Sequence, residues 1–95
     1  MHLYAKRVLK CDLMFREDVL RVDIEKEFTD GGFIIFVCDI VTYNENGIYE
    51  IYEVYHSHLL DKKKMYNMDV YFNKMGINPR VHQISAYKIL SQLIT

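Results

Sequence analysis

Val19-Leu20-Arg21-Val22-Asp23-Ile24-Glu25-Lys26-Glu27-Phe28 is the stretch that decides how this 95-residue chain folds. Leu20, Val22, Ile24 and Phe28 alternate with Arg21, Asp23, Glu25 and Glu27. Such period-two alternation predicts a β-strand with one wet face. Asp30-Gly31-Gly32 follows and offers the positive-φ positions that a tight reversal needs. Residues 33–43 are apolar at both parities, with Phe33, Ile35, Val37 and Val41 set against Ile34, Phe36, Cys38 and Ile40. A strand of that kind is covered on both faces and sits centrally in a sheet. Asn44-Glu45-Asn46-Gly47 is a second turn, and residues 48–56 form a third strand rich in β-favouring Ile, Tyr and Val. Short turns between three strands give an antiparallel meander.

After residue 57 the period changes. Leu60, Lys64/Met65, Met68, Tyr71/Phe72 and Met75 recur every three to four positions, as on an amphipathic helix. Ser57 is its expected N-cap and Gly76 its C′ glycine. Asn78-Pro79 then predicts a second helix, running to about Ile94 with Val81, Ile84, Tyr87/Lys88, Leu90 and Ile94 on one stripe, widened by Ile89 and Leu93. Residues 3–16 fit a short N-terminal helix or arm, with Leu13-Met14-Phe15 as an alternative fourth strand. The expected fold is one α+β domain over residues 1–95. It comprises a three-stranded antiparallel meander (four-stranded in the alternative) and a C-terminal helical hairpin.

Half of the chain is apolar, with eight Tyr and five Phe, which suffices for a core and excludes disorder. No apolar run approaches the roughly 20 residues that span a bilayer. Residues 1–7 lack the apolar segment of a signal peptide, so a cytoplasmic location without membrane association is expected. Cys11 and Cys38 are too few for a disulfide framework and are expected to be free thiols. Ten Ile against two Ala, with abundant Lys, Asn and Tyr, favours A/T-rich codons and hence a low-GC bacterium or its phages.

Charge is segregated. Residues 12–56 hold eleven carboxylates against three basic residues, a net of −8, while both flanks are basic and the whole chain is −1. Regional charge of this kind biases partner choice and encounter rate.

No motif specifies a reaction, and no catalytic residue is assigned. His56 and His58 form an H-x-H pair, with His2, His82, Cys11 and Cys38 elsewhere, but a structural zinc site wants a second closely spaced pair. No metal site and no cofactor is expected. Cys38 in an apolar strand reads as a packing residue, and Cys11 beside Lys10 lies in no nucleophile signature. The four glycines form no phosphate-binding loop.

Protein binding fits best, since the tyrosines of the third strand leave neither of its faces clearly polar. The expected function is a small non-enzymatic protein-interaction module, a homodimer by its surplus of apolar surface. Its partner surface is an acidic, tyrosine-bearing sheet face comprising Asp23, Glu25, Glu27, Glu50 and Tyr52. In its most specific form this is a phage or mobile-element inhibitor or regulator, of the anti-CRISPR kind, engaging a basic nucleic-acid-processing enzyme. The alternative is a nucleic-acid-binding accessory protein that uses Lys62, Lys63 and Lys64 with nearby tyrosines.

Overall fold

A computed structural model describes residues 2–92, in the order α1 (His2–Met14), β1 (Arg21–Asp30), β2 (Phe33–Asn44), β3 (Gly47–Tyr55), α2 (Lys62–Met75), β4 (Arg80–Ser85) and α3 (Ala86–Ser91). The four strands form one sheet in the order β1-β2-β3-β4, antiparallel except for the parallel pair β3 and β4. The α+β class and the meander are therefore as expected. α1 supplies the N-terminal helix, placing Ala5, Leu9 and Leu13 at the one-turn spacing that buries a single stripe. No helix among the described residues is long and apolar enough to cross a membrane.

The C-terminal segment departs from a helical hairpin. Residues 80–85 form a strand paired with β3 from Glu50↔Arg80 to Tyr55↔Ser85, and only residues 86–91 are helical. Val81 and Ile84 are spaced as on a helix but are β-branched, and pairing with β3 outweighs the weak local preference. Pro79 stands just before the strand, where its missing N–H removes no ladder hydrogen bond. The expected extension through Leu93 and Ile94 falls outside the described residues.

α2 begins later than Ser57 would have it. Asp61 is the N-cap, its Oδ1 accepting the Lys64 N–H at 2.7 Å. Gly76 ends the helix in the left-handed conformation (φ 73°), its N–H donating to Asn73 O and that of Ile77 to Phe72 O. A Cβ on Gly76 would meet nothing, so only backbone strain opposes a side chain there. Gly76→Ala is accordingly expected to cost about 1 kcal/mol, read as a fall in urea midpoint at unchanged m-value.

Two cores lie on opposite faces of the sheet. On one, α1 and α3 pack Ala5, Leu9, Leu13, Ala86 and Ile89 against Val22, Ile40 and Val54. On the other, Met68 and Phe72 of α2 meet Phe28, Phe36, Cys38, Val41 and Ile51. Phe28 stacks on Phe36 at 4.9 Å and takes Phe72 edge-on at 5.4 Å.

Strict alternation would have put Phe28 with Val22 and Ile24, yet it packs on the opposite face. Glu25 is the cause. It is the one described non-glycine residue with positive φ (54°), and the strand changes sides across it. β2 makes the same change between Cys38 and Ile40, so Glu25 and Asp39 face each other across a shared bend.

Candidate functional site

Three features could carry function: two buried charge clusters and an open sheet edge. The first cluster crosses the sheet at the bend. Lys6, on the buried side of α1, places Nζ 2.9 Å from Asp39 Oδ1 and 3.3 Å from Glu25 Oε1. The β2–β3 ladder stops at Ile40↔Tyr52, and Asp39 takes over its work by accepting the Val54 N–H at 2.7 Å. Glu53 hydrogen-bonds Asp39 from the α2 side, with Lys64 Nζ 2.9 Å from its Oε1. A chain of ionisable groups thus links α1 to α2 through the sheet.

The electrostatics follow from burial and neighbours. Burial would lower Lys6, but Asp39 and then Glu25 outweigh it and hold the ammonium above its ordinary value. Burial would raise Asp39, but Lys6, the Val54 N–H and Glu53 together bring it below the usual carboxylate range. Burial pushes Glu53 up to about 7; Asp39 adds to the shift and Lys64 opposes it. Burial and the adjacent Glu53 push the Cys38 thiol far above its ordinary range, so it is a packing residue rather than a nucleophile.

The second cluster surrounds Glu50, which is 3% exposed. Its Oε1 accepts from Arg16 Nη1 at 2.8 Å and Thr42 Oγ1 at 3.3 Å. Its Oε2 accepts from the Tyr52 hydroxyl at 3.2 Å and has His82 Nε2 3.3 Å away. The Tyr52 and His82 rings stack at 4.6 Å, joining β3 to β4, while Arg16 also grips Asp18. Each carboxylate oxygen accepts at least one hydrogen bond, so this arrangement ties the end of α1 to the sheet.

The third feature is β4 itself. α2 leans over β2, where Met68 and Phe72 are anchored, and does not cover the strand that follows it. A mainly apolar groove of about 420 Å³ is left between them, lined by Met65, Tyr66, Val81 and neighbouring apolar side chains, and also by Asp69, Asn73 and Asn78. Tyr66 is 69% exposed and Val81 46%. β4 is also the sheet's edge, bonded along its length to β3 alone.

The residues anticipated for an acidic partner face are not brought together. Asp23 accepts from Tyr43, which packs on the α2 side, whereas Glu50 and Tyr52 belong to the α1 side. Glu25 is bound to Lys6, Glu50 is buried, and Glu27 is exposed on the opposite edge strand. The third strand is interior, so its tyrosines are half-buried against β4 and the helices. Of the lysine run, Lys62 and Lys63 are exposed while Lys64 is turned toward Glu53. Among the described residues no three metal-ligating side chains converge; the His56 ring lies against Tyr87, and the His2 side chain is outside the described set. Cys11 and Cys38 are both free.

Sequence spacing hides the β4 edge and its groove, because Val81 and Ile84 fall on a helical stripe. Their β-branching, directly after Pro79, was the available signal. No protein-family model matches the chain, and no match was found among curated proteins or among solved structures.

Proposed function

We propose that this chain is a small, non-enzymatic protein-interaction module that takes up its partner along the β4 edge and the groove beside α2. The observation that carries the reading is the coincidence of two unmet needs at one place: a strand edge bonded on one side only, and the partly exposed apolar side chains of Met65, Tyr66 and Val81 beside it. Edges offer main-chain hydrogen bonds and grooves offer pockets, the combination used in strand addition. The hydrogen bonds from Arg16, Thr42 and Tyr52 to Glu50 support a structural role for the polar cluster nearest β4.

In its specific form the module is an inhibitor or regulator encoded by a phage or mobile element, acting on a basic nucleic-acid-processing enzyme. Amino-acid usage rich in Ile, Lys, Asn and Tyr and poor in Ala, as A/T-rich coding favours, supports that source. The immobilised protein, exposed to lysate of a low-GC bacterium, is expected to retain a partner that Val81→Lys releases at least tenfold and Lys62→Ala/Lys63→Ala does not. Retention unchanged by Val81→Lys would contradict the reading. Salt-dependent binding of a single-stranded oligonucleotide, lost in the double lysine variant, would favour nucleic acid instead.

A further inference from the structure

We propose that the partner seated on β4 is a second copy of this chain, so that two β4 strands pair antiparallel and join the sheets into one of eight strands. The inference rests on the β4 edge being the interaction surface and goes further by naming its occupant.

The two edges of the sheet are unlike. β1 carries Arg21, Asp23, Glu25, Lys26, Glu27 and Asp30 among its ten residues, and Glu25 breaks its line with a left-handed φ. Charges and kinks of this kind keep an edge from pairing with other chains. β4, Arg80-Val81-His82-Gln83-Ile84-Ser85, has neither a kink nor a fixed charge beyond Arg80 at its first position. A β1–β4 contact between copies would be head-to-tail and would propagate without limit; the defended β1 edge opposes it. The contact left to two copies is β4 with β4, which is isologous and closes at two.

Charge selects the direction of pairing. In a parallel pair the two Arg80 side chains would lie side by side. In an antiparallel pair they stand at opposite ends, roughly 15 Å or more apart at ~3.3 Å per residue, near the uncharged Ile84-Ser85 end of the other strand. Antiparallel pairing also sets each groove, with Tyr66, Met65 and Val81, beside the other copy's bare strand. The chain exposes 6579 Å², and a standard interface takes roughly 800 Å² per partner, about an eighth of that. A six-residue strand with one apolar groove is at the small end of this class, so a dissociation constant on the order of micromolar is expected.

Sedimentation velocity on the full chain from about 1 to 500 µM is the test. The wild type is expected to pass from monomer to dimer across that range. Val81→Lys, at a half-exposed position, should raise the dissociation constant at least tenfold, and Tyr66→Glu should act in the same direction. Glu27→Lys on the opposite edge should leave it unchanged. Circular dichroism should show each variant folded. A wild type that stays monomeric throughout overturns the second copy as occupant, and the lysate experiment then decides separately whether β4 binds another protein. A dimer indifferent to Val81→Lys, or one lost in Glu27→Lys, also overturns the proposal.

Discussion

Lys6→Met is expected to cost about 3–5 kcal/mol of folding stability, a large part of the roughly 5–15 kcal/mol that holds a domain of this size together. Lys6 is 8% exposed and is the cation that faces Asp39 from α1. Methionine preserves the apolar stem of the side chain, so packing of α1 against the sheet changes little. What remains is a mostly buried carboxylate facing a thioether, with the Val54 N–H and Glu53 still bonded to it but no cation on the α1 side. Glu25 suffers less, since its side chain is 56% exposed and can turn to water. Removing both charges should therefore recover much of the loss. In urea titrations at pH 7, Lys6→Met/Asp39→Asn is expected to be more stable than Lys6→Met alone. A loss below about 1 kcal/mol in the single variant would mean that Asp39 is solvated without its lysine.

Glu53→Gln is expected to stabilise the protein at pH 8 and to flatten its pH profile between about 4.5 and 7. The sign follows from linkage. Burial raises the folded-state pKa of Glu53 to about 7 from an unfolded value of 4.5. Between those limits the folded chain holds a proton that the unfolded chain has released, so stability falls as pH rises, by at most ~1.4 kcal/mol per unit. The protonated form donates to the Asp39 carboxylate, and glutamine reproduces that donor at every pH. The Asp39 shift is downward, so its own contribution is lost only on acidification toward and below 3.8 and lies outside this window. Thermal or urea unfolding of both proteins from pH 4.5 to 8 should show the curves diverging upward in pH, by about 1–3 kcal/mol at the top. A variant less stable than wild type at pH 8 would show instead that the Glu53–Lys64 ion pair outweighs its desolvation.

The meander was legible because its cues are local: alternation in 19–28, Gly31-Gly32, and the Asn46-Gly47 turn. Gly76 was legible for the same reason. β4 was not, because its strand state depends on a partner strand some thirty residues earlier, while Val81 and Ile84 carry helical spacing. The two-sided alternation of β1 and β2 also concealed the bend, since nothing in Glu25 or Asp39 announces that one adopts positive φ and the other replaces a backbone acceptor. Segregated charge was visible along the chain, but its meaning was not. Glu25, Asp39, Glu50 and Glu53 are spent internally on Lys6, Arg16 and Lys64, which turns much of the apparent acidic surface into internal ties. A carboxylate in a strand looks the same in sequence whether it faces water or a buried cation.

Amide hydrogen exchange measured at two protein concentrations, below and above the micromolar range, tests most directly whether β4 is where this chain meets its own kind. Amides of Arg80–Ser85 are expected to gain protection on concentration while those of Arg21–Asp30 keep their rates. Exchange in β4 that is independent of concentration, or protection that appears along β1 instead, would contradict it.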